Sequence, residues 1–552
     1  MLRSLAPVLA PALALLSLEA GSAAQLARAG VPASAVHELE GGVPAVVLPR
    51  PDLERYRAED EASAAEIGPF RYGAVIEHSI GLDEDGLWNQ VDESGALVWR
   101  TEITSPGALS LGVLFGEFEL PKGGELYLYT PDGRQVLGAF THENEQSNGM
   151  LAIQPVRGDR VVLEYVQPAW VSGSPRLRVE SVVHDYKGVF TGFEGPEPDS
   201  AASCLIDINC AAGQPYQDIK RAVIGLFRGG FVCTGSIINN TAQDGTPYML
   251  TAEHCGDFTN GTFVFNYERT GCGGGSFNLD DSLSGAQLLA KDAYIDGQLY
   301  RLNETPPQSF NPFYAGWGRG SAPPAPAVGI SHPAGLPKKI SLDTAGVFDL
   351  GNMWGVNWTS GEIQGGSSGS PIFAGNMRVI GQLCCGSGSC GGQTVSYGQL
   401  RDFYRRRSLE RWLDPLNLGA IWVDGLDPFL AASIVYNGSG ANATVYASQT
   451  PPALGTTWTA TVDTSGHPGA VSTLIQGHVS PSAGTFFSWG ELLIDLSSTR
   501  IFRAQAGIVG NVSTYLAPIP NDPGLSGAVA FSQAFILGGG LEGTNGLELR
   551  VF

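Results

Sequence analysis

Apolar and polar residues alternate in short runs along most of this chain, and the runs end at Pro, Gly or Asp. "GGELYLYTPDG" (123–133) and "RVVLEYV" (160–166) have the period of half-buried strands closed by tight turns. "GELLIDL" (490–496) and the closing "NGLELRVF" (545–552) repeat the pattern, with Leu547, Leu549 and Val551 alternating with Glu548 and Arg550. Helical spacing stands out in one late stretch, "SLERWLDP", where Leu409, Trp412 and Leu413 share a face and Pro415 stops the run. The expected fold class is mainly β.

Composition agrees with this. Gly is abundant, at 74 residues, and charged residues make up only 16%, which suits short strands and turns better than helical bundles. Acidic side chains number 54 against 32 basic ones, a formal charge of -22. Such a surface repels phosphate backbones, so nucleic acid is not an expected partner.

The first residues have one cation at Arg3, an apolar run from Leu5 to Leu18, and small residues at Ala20, Ser22 and Ala24. This is the pattern of a signal peptide over 1–24, and it implies a secreted, extracellular protein. An anchoring helix fits less well, because the run is shorter than the ~20 residues a bilayer needs and Pro7 and Pro11 interrupt it. No later stretch is apolar enough to make this an integral membrane protein.

Export decides how the cysteines are read. All eight lie between Cys204 and Cys390, and an even number in an exported chain argues for disulfides. Zinc is the competing reading, but no two of them form a C-x-x-C pair, so neither metal nor other cofactor is expected. The clustering marks off a middle domain. The expected organisation is a β-rich propeptide-like domain over 25–199, a central domain over 200–427, and a C-terminal β domain over 428–552 with the texture of a β-sandwich. The acidic, Pro-containing "GFEGPEPDSAAS" (192–203) reads as a cleavable linker.

Two fragments of the middle domain hold chemistry. In "GTPYMLTAEHC" an apolar run meets a small Thr-Ala step and then His254 and Cys255; in "GGSSGSP", Ser368 stands between Ser367 and Gly369. A serine hydroxyl needs an imidazole to take its proton, and the oxyanion that forms needs backbone N–H groups, which a Gly-rich turn at Gly366 and Ser368 would supply. Alone, the second fragment reads more readily as a Gly/Ser surface loop. The other histidine of this domain, His332, precedes Pro333 and reads as serving a turn.

Taken in order, "CLIDINC", "IKRAV", "CTGSIINNTA", "LTAEHC", "AGW", "HPAG", "GSSGSPI", "GQL" and "WLDP" resemble the bacterial lysyl endopeptidase group of trypsin-like serine endopeptidases. "GELYLYTPDG" resembles that group's propeptide, whereas the tail after Asp427 does not resemble the protease. The resemblance implies a chymotrypsin-like double β-barrel acting on protein or peptide substrates, with Ser368 as nucleophile and His254 as acid and base. It also implies an orienting carboxylate: Asp296, which opens "DGQLYRL" with Leu299 and Leu302 behind it, is preferred over its rival Asp292. The implied disulfides are Cys204–Cys390, Cys210–Cys272 and Cys233–Cys255. Cys384 and Cys385 are left over, where the family carries an imidazole and a small residue beside the substrate, either as a vicinal disulfide or reduced.

Four further positions depart from the family or bear on what is cut. The aspartate at the base of the family's specificity pocket is replaced by Val395. Glu362, six residues before Ser368, has the offset of trypsin's pocket carboxylate and would restore a basic preference if it faces the pocket rather than the rim. The residue before the nucleophile is Ser367, not the aspartate that receives trypsin's new N-terminus. Trp358 matches a family tryptophan near the substrate, and it also suits an ordinary core position. A catalytically inactive adhesion or binding protein on a protease fold is the alternative, with the tail as its surface- or glycan-contacting part.

Overall fold

The computed structural model describes residues 30–37, 39, 42–63, 67–91, 95–190, 204–386, 393–522, 525 and 527–552. The signal-peptide segment, the 192–203 linker and Cys390 lie outside the described residues. Internal contacts separate Asp427–Phe552 from the chain up to Leu426. Among the described residues no helix is long and apolar enough to cross a membrane.

The N-terminal segment builds a six-stranded and a four-stranded sheet around one core that includes Trp99, Phe115, Leu128, Leu163 and Val182. "RVVLEYV" departs from simple alternation. Its strand, Arg160–Gln167, runs between Leu97–Thr104 and Glu125–Tyr129, and Val161 to Tyr165 are all buried. The buried Glu164 is kept hydrogen-bonded by the Ser34 N–H (3.1 Å) and the Tyr129 hydroxyl (2.7 Å), as a desolvated carboxylate must be. Residues of the short helix Ala33–Val36 therefore cover a face the pattern assigned to solvent.

The central segment forms two large sheets in the arrangement of a chymotrypsin-like double β-barrel, as expected. The first contains Val223–Arg228, Phe231–Ile238, Tyr248–Thr251, Ala286–Asp292 and Gly297–Leu302; the second contains Ala327–Ser331, Lys339–Asp343, Met353–Trp358, Pro371–Phe373, Val379–Cys385 and Gln393–Gln399. An apolar core continuous from Ile208 to Leu426 packs between them. The expected late helix is confirmed in part, as Glu410–Leu413, with Leu409 and Leu413 fully buried. It follows a second helix, Leu400–Arg407, which the sequence reading passed over; Ser408, at φ +53°, breaks the two apart.

The first sheet also takes in a strand from the N-terminal segment. Phe70–Arg71 pairs antiparallel with Val232 and Phe231, and the amides of Tyr72 and Gly73 donate to the Gly230 carbonyl. Ser284 Oγ donates to the Ala152 carbonyl (2.7 Å), so the N-terminal and central segments meet at several strands.

In the separate C-terminal unit a five-stranded and a three-stranded sheet enclose Trp458, Ile475, Tyr515, Ala534 and Leu547. Leu547 and Leu549 point inward as the alternation requires. Arg550 is buried too, and donates to Glu548 (2.6 Å).

Candidate active site

The strand Tyr248–Thr251 ends in a single turn, Glu253–Cys255, closed by Gly256 at φ +88°. Cys255 is disulfide-bonded to Cys233 on the neighbouring strand, so the turn carrying His254 is tied to the sheet. Tyr248–Thr251 pairs with Gly297–Leu302, which brings the residue just before that strand, Asp296, beside His254.

Asp296 meets His254 twice. Its Oδ1 accepts the His254 backbone N–H (2.9 Å) and its Oδ2 lies 2.7 Å from Nδ1. Its backbone is left-handed, at φ +52°, and is held there because its carbonyl accepts from the Glu253 amide (3.2 Å) and from Gln382 Nε2 (3.2 Å). The rival Asp292 faces elsewhere: its Oδ2 is 2.8 Å from Arg406 Nε and 2.9 Å from Arg407 Nε. Burial pushes the Asp292 carboxyl upward, yet the Arg406 bond, two backbone amides and Arg407 leave it below the usual range.

Ser368 lies in the loop before Pro371–Phe373, between two glycines with positive φ, Gly366 (+91°) and Gly369 (+80°). Its carbonyl accepts from the Thr234 amide (2.9 Å), and Thr234 Oγ1 donates to the Gly366 carbonyl (2.8 Å). The loop is thereby fixed to the strand that also carries Cys233. Ser368 Oγ and His254 Nε2 are both sealed from solvent and neither makes a hydrogen bond. Ser367 is fully buried; its hydroxyl accepts from Ser331 Oγ (3.0 Å) and from the Gln364 amide (3.3 Å), a neutral arrangement in place of an ion pair.

His332 is fully buried and stacks on Tyr267, with ring centroids 5.1 Å apart. Its Nδ1 lies 3.0 Å from the Leu336 carbonyl, and burial, helped by Lys338, pushes its pKa down to about 3. It stays neutral and shapes the turn against which Gly366 packs, where a Cβ on Gly366 would come 2.7 Å from the His332 carbonyl.

The residues named for the substrate pocket fall in three groups. Trp358 and Val395 are buried with Ile363 in one apolar cluster, with Trp358 edge-on to Tyr397. Glu362 is buried as well, and its carboxylate oxygens lie 2.6 Å from Cys204 Sγ and 3.4 Å from Gln364 Nε2. Cys384 and Cys385 are free thiols at the end of Val379–Cys385. The adjacent Cys385 thiol, then burial and the charge of Asp296, push the Cys384 thiol up; the Cys384 thiol, aided by His254, brings Cys385 down to about 7. Cys210–Cys272 is bonded as the resemblance implied, and Cys204 is disulfide-bonded while its implied partner Cys390 lies outside the described residues. Among the described residues, no three His, Cys, Asp or Glu side chains cluster as metal ligands would.

One participant had no signal in the sequence. The amide of Gly366 donates to the carbonyl of Gly68 (2.8 Å), and Ile67 packs into the cluster of Trp358, Ile363 and Val395. Ser331, Gln364 and Gln382, which hold the loop and the acid in place, were likewise unmarked.

Comparison with known proteins agrees with the motifs. Residues 198–405 match the family model described as "Lysyl endopeptidase, C-terminal domain". A lysyl endopeptidase of Pseudomonas aeruginosa is 29% identical over 280 residues, covering 45% of this chain and 59% of that relative's length. Among solved structures, a Glu endopeptidase in complex with MPD is 14% identical, with a TM-score of 0.29 over 38% of this chain and 98% of that one. The protease domain of MamO from Magnetospirillum magneticum is 12% identical, with a TM-score of 0.24 over 35% of this chain and 98% of that one.

Proposed function

We propose that this chain is an exported serine endopeptidase that hydrolyses peptide bonds through an acyl-enzyme, and that it is made as a precursor. The observation that carries this reading is the double engagement of His254 by Asp296 next to a serine loop fixed between two positive-φ glycines.

Ser368 Oγ attacks the substrate carbonyl carbon while His254 Nε2 takes the hydroxyl proton. Asp296 holds Nδ1 in its protonated tautomer and balances the imidazolium. The carbonyl oxygen, now an oxyanion, is met by the amides of Gly366 and Ser368. The C–N bond then breaks, with His254 returning its proton to the leaving amine, and water repeats the sequence to release the acid. The absence of a Ser368–His254 hydrogen bond suits a site that tightens only around substrate. The neutral contacts of Ser367 mean that the loop needs no new N-terminal amine to take shape.

Mature, secreted protein should be labelled by a fluorophosphonate probe and lose all labelling on Ser368→Ala. Its N-terminus should fall between about 192 and 204, the acidic linker whose composition favours cleavage. Labelling that survives Ser368→Ala would refute the nucleophile. A mature N-terminus near residue 25 would refute the precursor. Absence of labelling in every form would leave the binding-protein alternative.

A further inference from the structure

The segment Ile67–Arg71 crosses the candidate site as a polypeptide substrate would. On one side, Phe70 and Arg71 add an antiparallel strand to Val232 and Phe231, next to Cys233. In the middle, the Gly68 carbonyl accepts the Gly366 N–H at 2.8 Å, the amide assigned to the oxyanion. On the other side, Ile67 is 9% exposed and belongs to the apolar cluster of Trp358, Ile363, Leu383 and Val395. A Cβ added at Gly386 would come 3.1 Å from Ile67 Cδ1 and 2.6 Å from Val395 Cγ1, so the missing side chain there is what leaves room for the isoleucine.

We infer that the primary specificity pocket is an apolar slot for a branched aliphatic side chain, and that Ile67–Phe70 is its resident, non-productive occupant. The inference rests on the proposed protease reading of the site and adds its substrate class: polypeptides with Ile, Val or Leu at P1, the residue before the cut bond.

The chemistry favours an aliphatic guest over a lysine. Val395 is fully buried where the resemblance puts the lysine anchor, and an ammonium left unpaired there would lose its hydration without return. Glu362, the other candidate anchor, is buried, with its carboxylate against the Cys204 sulfur and accepting from Gln364 Nε2 at 3.4 Å. An isoleucine side chain transferred from water to this cluster is stabilised by the apolar area it buries.

The occupant survives because of its register. In a productive complex the residue that fills the pocket also places its own carbonyl in the oxyanion site. Here Ile67 fills the pocket and the next residue, Gly68, supplies the carbonyl. The bond facing the nucleophile is then Gly68–Pro69, whose ring-substituted nitrogen crowds the leaving-group side, so the strand blocks the cleft without being cut.

The test has two arms. First, mature secreted enzyme is incubated with a proteome-derived peptide mixture and the cut sites are read by mass spectrometry. Ile, Val and Leu should be enriched at P1 at least tenfold over Lys, and Val395→Asp should move the preference toward Lys. Wild-type cleavage mainly after Lys, lost in Glu362→Gln, would overturn the inference and leave the protease reading intact.

The second arm needs no catalysis. In full-length protein carrying Ser368→Ala and Ile67→Asp, the resident strand no longer suits the pocket. A synthetic peptide of residues 66–73, EIGPFRYG, should then bind at least tenfold more tightly than the same peptide with lysine in place of isoleucine. Equal binding, or tighter binding of the lysine peptide, would overturn the inference even if no activity were found. Loss of fluorophosphonate labelling in mature Ser368 enzyme, with the binding preference retained, would instead refute the protease reading alone.

Discussion

Asp296 grips His254 by both its backbone N–H (2.9 Å) and its ring Nδ1 (2.7 Å), so one carboxylate sets the position of the turn and the tautomer of the imidazole together. The grip is bought with a left-handed backbone at Asp296, which Gln382 and the Glu253 amide hold in place.

Asp296→Asn keeps the side chain's shape and removes the charge that selects the tautomer. Turnover should fall by about four orders of magnitude with little change in KM. Asp292→Asn should leave turnover near wild type and lower stability by about 1–3 kcal/mol, since the ionised contacts to Arg406 and Arg407 are weakened. Steady-state kinetics and urea unfolding separate the two, and a reversed result would make Asp292 the orienting acid.

Cys385 is exposed and sits at the end of the strand that reaches the site; the adjacent Cys384 thiol, with His254 near, pulls its pKa down to about 7 against burial and the charge of Asp296. Its thiolate fraction should therefore rise steeply between about pH 6 and 8, and with it the rate of alkylation by iodoacetamide. Cys384, pushed the other way, should react far more slowly. Alkylation followed by peptide mapping should find Cys385 modified first and peptide cleavage lost in parallel, with Cys385→Ser resisting the loss. Equal reactivity of both thiols would contradict the assignment.

How much of this was legible follows the range of the interactions. His254 and Ser368 could be named because local chemistry dictates their neighbours, a small-residue approach and a Gly-rich turn, whereas Asp296 came from the resemblance, through the apolar pair behind the acid. The Cys233–Cys255 bond, as a fastening of the turn that carries His254 to a neighbouring strand, was legible from the cysteine beside that histidine; the resemblance implies the same pair, and the structure forms it. Ile67 escaped notice because an isoleucine before Gly-Pro carries no chemical mark; its meaning comes from a pocket built by residues distant in sequence. The helix Leu400–Arg407 was readable and overlooked, since Leu400, Phe403 and Tyr404 have helical spacing amid Arg-rich positions. Glu164 breaks the strand alternation because a second element covers it, which a strand's own pattern does not encode.

Glu304 should make folding of the full chain sensitive to alkali. Burial raises its pKa from 4.5 to about 8, although a hydrogen bond from Asn144 of the N-terminal segment pulls the other way. The carboxyl is thus protonated in the folded chain at pH values where it is ionised in the unfolded one. The resulting stability is fully present below about pH 4.5 and is lost as pH rises through about 8. Glu304→Gln, neutral throughout, should unfold at higher urea than wild type at pH 9 and show a smaller advantage at pH 4.5. An advantage that does not grow with pH would place the carboxyl in water.

Gly369 offers the sharpest packing test, because two glycines share its backbone sign and differ only in room. Gly369 has φ +80°, and a Cβ there would collide with Thr251 Oγ1 and lie 2.5 Å from the Thr234 carbonyl. Gly351 has φ +94° with nothing within 4 Å of the same hypothetical atom. Gly351→Ala should therefore cost only the strain of the left-handed backbone, about 1 kcal/mol. Gly369→Ala adds overpacking against the strands that carry Thr234 and Thr251, for a total of about 2–4 kcal/mol. Because relief of that clash shifts the adjoining Ser368, fluorophosphonate labelling of Gly369→Ala should fall by tenfold or more even where the protein remains folded, while Gly351→Ala labels at the wild-type rate. Equal losses of stability in the two variants would mean that the serine loop has room to relax, and its close fit to the strand behind it would then not be what holds Ser368 in place.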